Sequence, residues 1–275
     1  RMAFSAVSSN KLRSFLTMLG VIIGVSSITL LISLVRGASG AVTGQLDLLG
    51  GNQIAVQIED TGKRLTLAEV QELESLPEIR YVSPVLTGEG KVRERDRVKE
   101  VTVIGITEHY DEVMRLDLQQ GSGFDRLAVD ARLKMALIGY DTALELFDTE
   151  QVLGREVILN GYHFRIAGVL EKQAQTLMGS PGDSVYIPFS CAQSLLSDAA
   201  VSMFYAEAEE DVENEAAAEA VGTKLMEKFG KKDAFQVVNM NDIVDVIRSV
   251  MGILELLLGL ISGISLLVGG IGIMN

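Results

Sequence analysis

Phe15 to Val35 reads "FLTMLGVIIGVSSITLLISLV", a run without one ionisable side chain. At about 1.5 Å per helical residue it matches the hydrocarbon core of a bilayer, about 30 Å thick. A transmembrane helix is therefore expected over 15–35, after a cytoplasmic juxtamembrane segment at 1–14. The competing reading is a cleaved signal peptide. Its apolar stretch is shorter, at about 7 to 15 residues, and Arg36 stands where a cleavage site would begin. A second charge-free run, "LLLGLISGISLLVGGIGIM", follows Glu255 and predicts a second membrane helix at 256–275. Arg1, Lys11 and Arg13 precede the first run with no acid among them, and positive flanks stay in the cytoplasm. The expected chain is thus a multi-pass protein of the cytoplasmic (inner) membrane. Its N-terminus lies inside and the block at 36–240 lies outside.

Between the two runs the composition changes. All 37 acidic residues lie there and bring the chain to a formal net charge of −13. With a pI near 4.7 and no basic stripe, nucleic acid is excluded as a partner. "KVRERDRVK", residues 91–99, is broken by acids and reads as a solvated hairpin. Cys191 is the only cysteine, so no internal disulfide staples the outer block and its core must hold it.

The outer block reads as α+β. "NQIAVQI" alternates Ile54, Val56 and Ile58 on one face, a half-buried strand. "TLAEVQELESLP" then carries a capping box, Thr66 with Glu69, before apolar residues at helical spacing. "IRYVSPVL" and "KVRERDRVKEVTVIGI" predict further strands turning at 95–97, and "EHYDEVMRL" a short helix. In "REVILNGYHFRIAGVL", residues 155–170, Asn160-Gly161 between alternating runs is a hairpin signal. That turn sets Leu159 against Tyr162, Val157 against Phe164 and, as an ion pair on the other face, Glu156 against Arg165.

"EKQAQTLMGSPGDS" reads as a loop, with Met178, Gly179, Ser180, Pro181, Gly182 and Asp183 as its mobile, partner-contacting tip. "DVENEAAAEAVGTKLMEKFG" is a helix ending at Gly230. A strand then runs without a break into a stalk helix at 241–255 bearing Asp242, Asp245, Arg248 and Glu255. A membrane-proximal subdomain is expected from 45–120 and 201–240, with a distal part, 121–200, inserted between its halves.

No nucleotide-binding loop, zinc-protease helix, paired-cysteine or serine-nucleophile motif occurs, so no catalytic, metal or cofactor residue is assigned. His109 and His163 read as surface imidazoles and Cys191 as a small buried hydrophobe. Gly20 and Gly24 form one small-x-x-x-small pair and Gly259 and Gly263 another, with Gly269 and Gly270 beyond. Such spacing lets helix backbones approach closely. Glu255 reads as an interfacial stalk residue, or as the partner of a charge on another helix.

"NKLRSFLTMLGVIIGVSSI" at 10–28 and "ISLLVGGIGIMN" at 264–275 resemble the first and second membrane segments of the MacB/FtsX superfamily of ABC transporter permeases. "LPEIRYVSPV", "LGREVILNGYHFRIAGVLE" and "VYIPFSCAQSLL" are similar to that family's extracytoplasmic domain. The resemblance implies two transmembrane helices flanking a porter-like membrane-proximal subdomain with an inserted distal subdomain, the periplasmic core domain. It implies a dimer of permease protomers and an ATP-binding subunit or domain that holds ATP and Mg outside this chain. ATP hydrolysis would be transmitted along the stalk to the outer domain (mechanotransmission), for efflux or export of a drug, peptide or lipoprotein. A periplasmic adaptor is a further implied partner. From the topology alone, a transmembrane sensor with an extracytoplasmic ligand-binding domain is the alternative.

Overall fold

The computed structural model describes residues 52–59, 64–172, 181–196 and 200–274 continuously, and part of 15–40. It forms two compact units, Gln45–Asp242 and the paired segments Arg1–Gly44 and Ile243–Asn275. The strands are β1 (Gln53–Ile58), β2 (Ile79–Glu94), β3 (Arg97–Ile106), β4 (Leu118–Gly121), β5 (Met135–Ile138), β6 (Glu156–Leu159), β7 (Tyr162–Leu170), β8 (Ser184–Pro188), β9 (Met203–Ala208) and β10 (Phe235–Asn239). The helices are α1 (Leu67–Gln71), α2 (Tyr110–Met114), α3 (Arg126–Asp130), α4 (Tyr140–Phe147), α5 (Phe189–Leu195), α6 (Asn214–Phe229) and α7 (Met240–Met274).

Four strands make an antiparallel sheet in the order β10-β1-β9-β2. Because α1 lies between β1 and β2 and α6 between β9 and β10, two β-α-β units interleave in the split arrangement. The chain leaves this sheet along β2 and returns only at β9. β1 departs from the alternation reading, because Gln53, Ile54, Ala55 and Val56 are all buried. It is one of the sheet's two inner strands, paired with β10 on one edge and β9 on the other. Ile54 and Val56 share a core with Val70 of α1 and Val221 and Leu225 of α6.

Both helix ends follow the local signals. Thr66 N and Oγ1 donate to Glu69 Oε2 at 2.9 and 2.8 Å, and Glu69 N donates to Thr66 Oγ1 at 3.4 Å, a complete capping box. Gly230 closes α6 at φ +71°, the left-handed region that glycine adopts without strain.

The inserted part is a barrel. "IRYVSPVL" and the "KVRE" that opens "KVRERDRVKEVTVIGI" form one strand, β2, rather than two; the chain turns after Glu94 into β3, and β2 serves both halves of the unit. Ile79 to Val85 pair with β9, and Leu86 to Glu94 pair with β3. From β3 the pairing passes to β8, β5, β7 and β6, and β6 returns to β2 through Val92↔Leu159 and Arg93↔Ile158. Six strands therefore close on themselves, which removes the exposed edges of an open sheet. β4 adds to β7. The inserted part thus begins near residue 86, rather than at 121 as the sequence reading had it. β3 belongs to the barrel, although a local reading had grouped it with the membrane-proximal part.

The 155–170 hairpin has the predicted register, Leu159↔Tyr162, Val157↔Phe164 and Glu156↔Arg165. Asn160 at φ +47° and Gly161 at φ +88° supply the two positive dihedrals of the tight turn. The expected Glu156–Arg165 ion pair is not formed. Glu156 Oε2 lies 3.7 Å from His163 Nδ1, while Arg165 Nε donates to the Gly154 carbonyl at 3.3 Å.

In α7 the backbone passes from β10 into a 35-residue helix without interruption. Among the described residues no helix is long and apolar enough to cross a membrane. The runs at 15–35 and 256–275 both include positions whose side chains lie outside the described residues, so the two spans stay expectations.

Candidate functional site

The strand-to-helix passage at β10 and α7 is held by a side chain. Asn239, the last residue of β10, is buried, and its Oδ1 accepts from Asn241 N at 3.0 Å, as an N-cap does for a helix start. The same Oδ1 accepts from Asn214 Nδ2 at 3.3 Å, at the first residue of α6. Asn239 therefore ties the sheet, α6 and the start of α7 together at one point. The sequence reading found the continuity but missed this residue. Its signal was an N-cap residue type just ahead of a helical pattern.

Beyond the cap, Asp242, Asp245 and Arg248 are exposed, and Arg248 Nη1 sits 3.3 Å from Asp245 Oδ1 one turn back. Glu255 lies 3.8 Å from Arg36 Nε, both side chains largely exposed. That favours the reading of Glu255 as partner to a charge on another segment over the preferred one of a lone interfacial residue. Val246, Val250, Ile253, Leu257, Leu260, Ile264 and Leu267 alternate by four and three along α7, and each is at least 49% exposed within the chain. Leu254, Leu256 and Ile261 are exposed as well, so the exposed apolar side chains go round the helix rather than along one stripe.

A Cβ built on Gly259 or Gly263 meets nothing within 4 Å, so neither glycine packs against the described residues of this chain. Gly269 and Gly270 lie within the helical backbone of α7. Gly20 and Gly24 lie outside the described residues, as do Met178, Gly179 and Ser180.

The rest of the expected loop tip is anchored. Pro181 to Asp183 form a single helical turn against α4. Thr142 Oγ1 donates to the Gly182 carbonyl at 3.0 Å, and a Cβ on Gly139 would come within 2.3 Å of that same oxygen. Lys99 Nζ lies 2.7 Å from Asp183 and 2.6 Å from Glu145, with its side chain 12% exposed. Burial works against the Lys99 charge, but the hydrogen bonds to Asp183 and Glu145 outweigh it and hold its pKa above the ordinary lysine value. Pro181, Gly182 and Asp183 are thus held against α4 and Lys99 of β3. The charged turn after β2 joins them there, with Arg97 bonded to Asp148 and to the Glu145 carbonyl.

The outer wall of β2 and β3 carries a cleft of about 470 Å³ whose polar lining includes Glu89, Lys91, Glu100, Thr102, Asn160 and Asp183. Its charges are largely satisfied, since Lys91 pairs with Glu100 at 3.0 Å and Asp183 with Lys99. His109 is not a bare surface imidazole. It stacks on Tyr81 at 4.3 Å, and its Nδ1 lies 3.1 Å from Glu112 Oε2. His163 is exposed. Cys191 is buried against α3 and β5, its Sγ 3.5 Å from the Leu133 carbonyl, and burial raises the thiol pKa. Among the described residues no three metal-ligating side chains gather in one place.

A family model described as MacB-like periplasmic core domain matches residues 14–224. The whole chain aligns at 32% identity with "Macrolide export ATP-binding/permease protein MacB" of Bradyrhizobium diazoefficiens, covering 44% of that protein. It aligns at 30% with "Uncharacterized ABC transporter permease YknZ" of Bacillus subtilis, covering 72%. The chain thus spans less than half the length of the MacB relatives it matches. Among solved structures, the periplasmic region of MacB from Actinobacillus actinomycetemcomitans superposes with a TM-score of 0.64 at 21% identity, over 74% of this chain and 95% of that one. The extracellular domain of YknZ superposes at 0.59 and 22%, over 68% of this chain and all of that one. By family match, identity and shared fold, the chain belongs to the MacB-like permeases of ABC transporters, of which it carries the periplasmic core domain.

Proposed function

We propose that this chain is the part of an ABC transporter permease that couples ATP hydrolysis elsewhere to movement of the extracytoplasmic unit, for efflux or export. The observation that carries the reading is the unbroken passage from β10 into α7 with Asn239 bonded to both helix starts. A rigid helix transmits displacement along its axis, and a capped, buried junction converts that displacement into motion of the sheet. A second permease protomer is the proposed partner of α7, whose exposed apolar side chains at 246–267 would be covered by another helix and by lipid. ATP and Mg belong to an ATP-binding subunit or fused domain, in keeping with the relatives named "ATP-binding/permease". The apolar runs at 15–35 and 256–275 anchor the chain in the cytoplasmic membrane.

Inserting Gly-Gly after Arg248 in the full-length permease tests the coupling. Assembly with the ATPase should persist and ATP hydrolysis continue, while export of the cargo falls at least about tenfold. Undiminished export would overturn the reading.

A further inference from the structure

The barrel is joined to the sheet by β2, which changes partners between Val85 and Leu86, and by the return from α5 to β9. Two bodies on so few connections move relative to each other unless packed contacts hold them. One short stretch, Thr107 to Tyr110, follows β3 of the barrel, opens α2 and makes contacts of that kind. Thr107 Oγ1 lies 3.1 Å from Ser83 Oγ of β2, and both side chains are buried. His109 stacks on Tyr81 of β2 with ring centres 4.3 Å apart. Tyr110 is 6% exposed, and its ring centre lies 5.9 Å from that of Tyr186 on β8. Burial first, and then the phenols of Tyr186 and Tyr205, push the Tyr110 pKa well above the ordinary tyrosine value.

The sheet residues in these contacts share a face. Ser83 pairs with Tyr205, Tyr81 with Glu207, and Tyr205 with Ala55, which alternates with Ile54 and Val56 along β1. Ile54 and Val56 look toward α1 and α6, so Tyr81, Ser83 and Tyr205 lie on the sheet's other face. There α2 packs on β2 and β9, with Val113 also buried. A helix of five residues has little stability of its own, so α2 holds its place through these contacts.

We infer that Tyr110, seated by Thr107 and His109, is a positioning residue that locks the barrel on the sheet as one rigid body. A tyrosine serving the core of one part would neighbour that part alone. Tyr110 stands between Tyr186 of the barrel and Tyr205 of the sheet. A strand that crosses between two bodies can bend or twist where it changes partners, and a packed contact off its axis removes that freedom. The consequence for function rests on the permease reading: a displacement arriving at β10 would reach the barrel walls undiminished. The lock itself lies within the Gln45–Asp242 unit and needs no such reading.

The test measures the distance between Gln236 on β10 and His163 on β7, both exposed, in the full-length protein in detergent. Spin labels are carried there on non-cysteine amino acids. The wild type and Y110F, which keeps the ring, should each give one narrow distribution. Y110A should broaden it at least about twofold while the amides of β7 and β9 keep their protection in hydrogen exchange. Adding S83C and T107C to Y110A puts two sulfurs where hydroxyl oxygens stand 3.1 Å apart, within reach of a disulfide. Oxidation should then narrow the distribution and dithiothreitol should broaden it again. If the disulfide does not form, the width in Y110A against Y110F decides alone. If Y110A does not fold, H109A, which removes only the stack on Tyr81, carries the measurement, with a width above that of the wild type expected. A distribution as narrow as the wild type in Y110A, or in H109A in its place, would overturn the inference, as would a broadening that the formed disulfide leaves unchanged. Neither ATP nor cargo enters the measurement, so its failure is distinct from failure of the permease reading.

Discussion

The sheet and the barrel are made from the same strand but solve different problems. The β10-β1-β9-β2 sheet is open, takes its strands from both ends of the outer block, and buries one face under α1 and α6. The barrel is closed, takes its strands from the continuous middle, and fills its inside with Val92, Leu159, Phe164, Ile166, Val185 and Ile187. An open sheet leaves an edge and an end free for α7 to leave from. A closed barrel has no such edge and presents walls. β2 runs through both, pairing with β9 in the first and with β3 in the second.

The sharpest way to break that contrast is to ask whether the two parts melt together. Phe204 in the sheet and Phe164 in the barrel are each at most 2% exposed, and truncation to alanine should cost about 3–5 kcal/mol in either case. Because β2 runs through both, each variant is expected to shift one common denaturant transition of the purified chain. Two transitions, only one of which moves per variant, would show that the shared strand does not couple them.

A smaller effect is local to the barrel. Gly139→Ala places a methyl carbon 2.3 Å from the Gly182 carbonyl and 2.4 Å from that of Pro181, both backbone atoms that cannot rotate away. Destabilisation of about 2–3 kcal/mol is expected. Proteolysis at 171–183 should rise while the α6 side of the sheet keeps its protection in hydrogen exchange. An equal loss of protection in both parts would erase the distinction.

The smallest effect concerns the sheet's helical cover. Hydrogen bonds from Lys228 and then from Thr66 hold the Glu69 carboxyl at a pKa of about 2, below its ordinary value of 4.5. A folded-state pKa that is depressed gives stability that is complete above the unfolded value and is lost as pH falls through the folded one. Acid should therefore loosen α1 from α6 between about pH 4.5 and 2. Glu69→Gln should flatten that arm and cost on the order of 1 kcal/mol at pH 7, after discounting for a side chain 42% exposed. An acid limb unchanged by the substitution would count against the assignment.

Asn160-Gly161, the Thr66 capping box and the Gly230 cap were legible because each depends on residues within about four positions of one another, where dihedral preference and side-chain reach decide the outcome. The unbroken entry into α7 was legible for the same reason, as was the apolar pattern that marks the two candidate spans. What stayed hidden depends on residues far apart in sequence. The closure of β6 onto β2 joins Leu159 to Val92, the inner place of β1 needs β9 and β10 on its two edges, and the pairing of Arg36 with Glu255 joins residues more than 200 positions apart. Local sequence determined the helix caps and the tight hairpin turn. Only the tertiary structure decided that one strand serves both sheet and barrel, and that Asn239 joins β10, α6 and the start of α7. Register and ion pairing over such distances are selected by the packing of the whole chain rather than by any window of it.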